Sequence, residues 1–173
     1  VVNAVGTYDL TVTSAAGCSS SMVTTFVSQD TTPPSVSASA TSSVICDGVS
    51  TTLSATGSGN TYVWMPGSMS GSSPVVTPSS STNYTVTSTN STNGCSSTAT
   101  VGITVNPLPS LTVSASPATI CAGSTTTLSG TGATTYFWNP GSMTTSTAAI
   151  IPASSTIYTL TGSEPTGCSS TKT

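Results

Sequence analysis

The chain has 173 residues, of which one is basic (Lys172) and four are acidic (Asp9, Asp30, Asp47 and Glu164), and it contains no histidine. Acid–base catalysis and nucleophile activation have almost no groups to use, and the scattered carboxylates are too few for a calcium cluster. A formal net charge of −3 offers no basic stripe to neutralise phosphates, and no apolar run is long enough to cross a bilayer, so the expectation is a non-enzymatic chain with no cofactor, no metal, no nucleic-acid partner and no membrane span.

In chain order, the first signal is Thr7-Tyr-Asp-Leu-Thr-Val-Thr13, an alternating stretch that reads as a strand, followed by Gly17-Cys-Ser-Ser20. After the break at Thr31-Thr-Pro-Pro34, short runs rich in Val, Thr and Tyr predict strands near 36–40, 51–55, 61–65, 74–77, 83–89 and 98–105, with Gly, Pro, Asn and Ser between them. Period-two alternation places Tyr62 with Trp64, Tyr84 with Val86, and Val101 with Ile103 and Val105 on inward faces. A second break falls at Asn106-Pro-Leu-Pro109.

Beyond that break the text repeats with a period of roughly 75 residues, the self-similarity of a tandem array. Cys46-Asp-Gly returns as Cys121-Ala-Gly, Tyr62-Val-Trp-Met-Pro-Gly-Ser-Met69 as Tyr136-Phe-Trp-Asn-Pro-Gly-Ser-Met143, and Gly94-Cys-Ser-Ser-Thr98 as Gly167-Cys-Ser-Ser-Thr171. The expected organisation is therefore half a module at 1–34, a complete module at 35–109, and a module at 110–173 that lacks its last strand. The opening Val-Val-Asn, in place of Met, suggests an interior or processed piece of a longer array.

A module of this size buries a modest core and is marginal without a staple. Each full module carries one Cys before its second strand and another at the start of its last. That suggests bonds Cys46–Cys95 and Cys121–Cys168, each closing a loop of about 50 residues worth about 3–4 kcal/mol, with Cys18 pairing upstream of the chain. Strand parity leaves an alternative open. Six strands bring the two cysteine loops of one module together, whereas seven put them at opposite ends and favour a bond between modules, such as Cys46–Cys168. Either way the cysteines imply an oxidising, extracytoplasmic location.

The module text Ile-Cys-x-Gly-x-x-Thr-Thr-Leu-Ser, Tyr-x-Trp-x-Pro-Gly, Tyr-Thr-Val-Thr, Gly-Cys-Ser-Ser-Thr and Pro-Leu-Pro resembles the immunoglobulin-like or PKD-like tandem repeats of large secreted surface and fibre proteins of Bacteroidota. The resemblance covers Ile45 to Pro109 and Ile120 to Thr173, echoed at Thr7 to Pro34. It implies an all-β chain of tandem immunoglobulin-like β-sandwich modules arranged as a rod or fibre, outside the cell or on its surface. The partner it implies is self-association or continuation into further modules of the same kind.

With 3% charged residues, the surface must be hydrated by the 74 Ser and Thr side chains or by glycans attached to them. Asp30-Thr31-Thr32 resembles the short acidic-hydroxyl acceptor of Bacteroidota O-glycosylation, which makes Thr31 and Thr32 candidates; Asn83-Tyr-Thr85 and Asn90-Ser-Thr92 are formal N-glycosylation sequons. Trp64 and Trp138 occupy the core-tryptophan position of an immunoglobulin-like sandwich, and Met65, Met69 and Met143 surround a Pro-Gly turn that offers a soft exposed patch. Two functions compete: a structural fibre or stalk, and an adhesin module that binds carbohydrate or protein through its inter-strand loops. The near-identity of the copies favours the first, because a binding site would make one module's loops differ from its neighbours'.

Overall fold

The computed structural model describes residues 4–173, and every regular element among them is a strand. Strands β1 (Gly6–Leu10) and β2 (Val23–Val27) form an antiparallel hairpin in which Gly6 lies opposite Val27 and Leu10 opposite Val23. The middle stretch contributes β3 (Val36–Ala40), β4 (Val44–Cys46), β5 (Thr51–Gly57), β6 (Thr61–Met65), β7 (Met69–Ser70), β8 (Val75–Val76), β9 (Thr82–Thr89) and β10 (Ser96–Asn106). They assemble as one sheet of order β3-β5-β8 and one of order β4-β10-β9-β6-β7.

The last stretch contributes β11 (Thr112–Ser116), β12 (Thr126–Thr131), β13 (Thr135–Asn139), β14 (Thr147–Ile150), β15 (Thr159–Ser163) and β16 (Ser169–Lys172). Its two sheets are β11-β12-β14 and β13-β15-β16. This is the strand arrangement of an immunoglobulin-like sandwich, the first, second and fourth strands of the stretch in one sheet and the third, fifth and sixth in the other. The fold is all-β and immunoglobulin-like. Where the sequence suggested no last strand in the third repeat, the structure begins one, but β16 is four residues long against eleven in β10.

The chain separates into two compact units that do not follow the repeat boundaries. One comprises Val1–Ala38, Ala55–Ser72 and Thr85–Thr100; the other comprises Ser39–Ser54, Ser73–Tyr84 and Val101–Thr173.

In the second unit, Leu128 of β12 meets Trp138 of β13 and Leu160 of β15, with Leu111, Val113, Tyr136, Met143, Ile150 and Tyr158 packed around them. The Trp138 indole donates its N–H to Thr145 O at 3.0 Å, so the largest core side chain is buried without an orphaned donor. Thr126 Oγ1 donates to Pro117 O at 2.7 Å, and its counterpart in the middle repeat, Thr51, donates to Ser42 O at 2.9 Å. Ile45, Val76, Tyr84 and Ile103 are also buried in this unit.

In the first unit, Trp64 is fully buried and its indole N–H reaches Gly71 O at 3.0 Å, as in the other copy. Gly57 is needed where β5 leaves its sheet: its φ is +155°, and a Cβ there would run into the carbonyl oxygen of Ser35. Gly132 meets the same constraint against Ser110 O.

The six strands expected in the middle repeat all form, with β5, β9 and β10 slightly longer and β8 shorter than expected. Two further strands, β4 and β7, had not been anticipated. Of the expected inward residues, Trp64, Tyr84, Val86 and Ile103 are buried, while Tyr62, Val101 and Val105 are half-buried.

Candidate functional site: a disulfide joint and its linkers

β4 pairs with β10 in parallel, Val44 opposite Thr104 and Cys46 opposite Asn106. The thiol at the end of β4 is thereby delivered to the end of β10, where Asn106 opens the Pro107-Leu-Pro109 linker. Asp47 N–H closes the corner by donating to Asn106 O at 2.9 Å. From the other side comes the turn that precedes β16. Cys168 is buried, with its Sγ 4.0 Å from Asn106 O, and Ser170 Oγ donates to Pro109 O at 2.6 Å. Cys46 and Cys168 are bonded, their Cα atoms 5.6 Å apart across 122 residues of sequence.

This corrects the expected pairing within modules. Neither Cys46–Cys95 nor Cys121–Cys168 forms; Cys18, Cys95 and Cys121 are free thiols. The cause is the parallel register. Cys95 stands just before Ser96, the first residue of β10, whereas Cys46 lies opposite Asn106, its last. At about 3.3 Å per residue a strand of that length holds the two thiols roughly 30 Å apart, far beyond disulfide reach.

Cys95 nevertheless repeats the setting of Cys168 in the first unit. Its Sγ is 3.9 Å from Asp30 O, a carbonyl of the Asp30-Thr31-Thr32-Pro33-Pro34 linker, as Cys168 Sγ is from Asn106 O. Asn93 fixes the turn. Its Oδ1 accepts from Cys95 N–H at 2.9 Å, while its Nδ2 donates to Asp30 Oδ2 at 3.0 Å and to Thr32 O at 3.1 Å. Sequence reasoning missed Asn93, although an Asn two residues before a Cys in a Gly-bearing turn is the signature of a side chain that bonds its own backbone two residues on. The Asp30 carboxyl is held below its ordinary range, chiefly by the Thr32 backbone N–H, then by the Thr32 hydroxyl and the Asn93 amide.

Among the glycosylation candidates, Thr31 and Thr32 are exposed in that linker. Asn83 is exposed on β9. Asn90 is half-buried, and its Oδ1 accepts from Thr92 N–H at 2.9 Å inside a turn. Of the three methionines around the Pro-Gly turns, Met65 is exposed, while Met69 and Met143 are half-buried, Met143 against the Trp138 cluster. Among the described residues, no group of three or more His, Cys, Asp or Glu is placed to hold a metal ion, and no helix is long and apolar enough to cross a membrane.

No family model matches the chain, and no curated protein matches it. Among solved structures it is similar to the three N-terminal domains of the bacteriophage RB49 Highly Immunogenic Outer Capsid protein (Hoc), with a TM-score of 0.41 and 20% identity. That match covers 80% of this chain, which spans 57% of the length of the other.

Proposed function

We propose that the chain is a structural, non-catalytic repeat segment of an extracellular or cell-surface bacterial fibre or stalk, built of repeat units at 1–34, 35–109 and 110–173. The observation that carries this reading is the joint. The Cys46–Cys168 bond ties the end of one repeat to the last turn of the next, and the linker between them is gripped by Ser170 and Cys168. A covalent clamp at a repeat boundary resists tension along the chain, and a disulfide persists in an oxidising, extracytoplasmic setting. Cys95, set against its own linker in the same way, takes the first cysteine of a preceding repeat; Cys121 takes the last-turn cysteine of a following one.

Exposed Thr31 and Thr32 are the glycan acceptors in this reading. O-linked sugars there hydrate a surface that carries almost no charge.

The test is electron microscopy of native material labelled with antibodies against this chain, with intact-mass measurement under non-reducing conditions. Extracellular filaments that carry the label, lose resistance to denaturant on reduction while the chain stays intact, and yield Thr31 or Thr32 peptides with added hexose mass are the expected result. Label confined to the cytoplasm, or reduced thiols throughout, overturns the fibre reading. An unmodified Thr31 and Thr32 overturns the glycan part alone.

A further inference from the structure

The turn before β10 carries Asn93-Gly94, the one Asn-Gly pair in the sequence. In the companion turns Gly17-Cys18 and Gly167-Cys168 the preceding residues are Ala16 and Thr166, so the pair is peculiar to the turn that grips the 30–34 linker. Asparagine is thermolabile because its side-chain carbonyl carbon lies within reach of the backbone nitrogen of the residue that follows. A following glycine, with no Cβ, leaves that approach open. Gly94 is exposed and has a φ of +73°, a conformation that reserves the position for glycine.

In the folded turn both reacting groups are engaged. The Gly94 N–H, whose nitrogen is the nucleophile, donates to Asn90 O at 2.8 Å. The Asn93 amide is fixed at both of its ends: Oδ1 accepts from Cys95 N–H at 2.9 Å, while Nδ2 donates to Asp30 Oδ2 at 3.0 Å and to Thr32 O at 3.1 Å. Asp30 and Thr32 are exposed and Asn93 is half-buried, so these bonds lie at the surface and open locally at far less cost than unfolding the repeat. Undocking of the linker releases the Asn93 side chain to turn toward Gly94.

We propose that Asn93 is a self-modification site, converted to aspartate or isoaspartate when the linker undocks. The Gly94 nitrogen gives up its proton and bonds to Asn93 Cγ, the Cγ–Nδ2 bond breaks, and ammonia leaves with that proton. The cyclic succinimide then adds water at either of its carbonyls and opens to the two acids. Water is the only reagent consumed, and no electrons change hands. The product no longer fits the docked linker. Where Nδ2 donated, a carboxylate oxygen now faces Asp30 Oδ2 and Thr32 O, both acceptors and the first of them charged. In the isoaspartate form the main chain is also longer by a methylene just before Cys95, whose Sγ lies 3.9 Å from Asp30 O. The contact is thus a one-way release: the docked linker shields the amide, and loss of the amide repels the linker. This holds whether or not the chain forms fibres.

The test ages the intact oxidised chain at mildly alkaline pH under argon and follows amide-to-acid conversion by peptide mass spectrometry, with isoaspartate methyltransferase labelling of the products. Expected is conversion at Asn93 ahead of Asn90 and Asn83, with both acids formed. Asp30→Ala, which removes one docking contact, is expected to speed conversion roughly five-fold, the factor by which losing an ordinary hydrogen bond shifts a local opening equilibrium. In the converted fraction of the aged chain, and in Asn93→Asp, Cys95 alkylation is expected to rise by a similar factor while Cys121 alkylation and tryptophan emission stay unchanged. Earlier conversion at another asparagine, an Asp30→Ala rate equal to that of the unaltered chain, or Cys95 alkylated no faster in the converted fraction than in the unconverted would each overturn the proposal. None of these outcomes would touch the Cys46–Cys168 joint.

Discussion

The linker-side end of the middle repeat and the matching end of the third, beside the last residues of the sequence, are written in nearly the same residues, with Tyr84, Ile45 and Val76 buried and Tyr158, Ile120 and Ile150 half-exposed. Deeper in, the copies agree: Leu53 and Leu128, Trp64 and Trp138, Val86 and Leu160 are all buried. In the middle repeat the second half of β10, a strand distant in sequence, lies between β4 and β9 at this end, with Ile103 buried. An inner tyrosine becomes core when the last strand reaches past it.

The largest expected effect is on the joint between them. In the chain-entropy account, opening a loop of 122 residues costs about 5 kcal/mol. Reduction, or Cys46→Ser, should therefore lower the urea midpoint of the unit that holds both cysteines, while Cys95→Ser leaves stability within about 0.5 kcal/mol. Equal sensitivity of the two variants would mean that Cys46–Cys168 is not the bond that forms.

Next come the core side chains. Trp138→Ala removes a fully buried indole and should cost about 3–5 kcal/mol; a loss below about 1 kcal/mol would show that the third repeat has no consolidated core. Ile103→Ala should cost about 2–5 kcal/mol and make the middle repeat resemble the third, with amide exchange accelerating at Tyr84 and Ile45. Unchanged exchange there would sever the link drawn between strand length and burial.

Much of this was legible in the sequence. Tyr62-Val-Trp64 and Tyr136-Phe-Trp138 announce strands by alternation, and the repeat fixes their equivalence. β4 was not legible, because Val44-Ile-Cys46 is too short to show a period and its partner, Thr104–Asn106, is about 60 residues away. That omission carried the cysteine pairing with it: the parallel ladder decides which end of the module Cys46 occupies. Inner-face compensation was equally hidden. Gly162 holds the position of Ser88, and a Cβ there would collide with Leu111, the counterpart of Val36, so a larger residue just before β11 is matched by a smaller one on β15.

Ser88 gives a smaller prediction from the same comparison. Its hydroxyl is buried with no hydrogen-bond partner among the described residues. Leaving a buried hydroxyl unsatisfied costs about 1–3 kcal/mol, so Ser88→Ala, which keeps the Cβ and drops the orphan, should stabilise the middle repeat by about 1 kcal/mol in denaturant unfolding. Destabilisation would mean that the hydroxyl finds a partner in solution.

The smallest effect separates the two linkers by charge. Asp30 accepts from Thr32 N–H at 2.9 Å and from Asn93 Nδ2 at 3.0 Å, and these contacts lower its pKa. At the equivalent joint the carbonyl beside the cysteine belongs to Asn106, which does not titrate. A carboxyl whose folded pKa lies below its unfolded one contributes its stabilisation fully above the unfolded value and loses it as pH falls through the folded value. The Asn93 side-chain amide should therefore keep its NMR shift from neutral pH down to about pH 4, near the ordinary Asp value, and move only below that. The Asn106 linker should not respond over the same range. Because Asp30 is fully exposed, the change belongs to the turn and not to global unfolding. A midpoint at or above the ordinary Asp value would show that the Thr32 and Asn93 contacts are not held in solution, and with them the positioning of Cys95 against its linker.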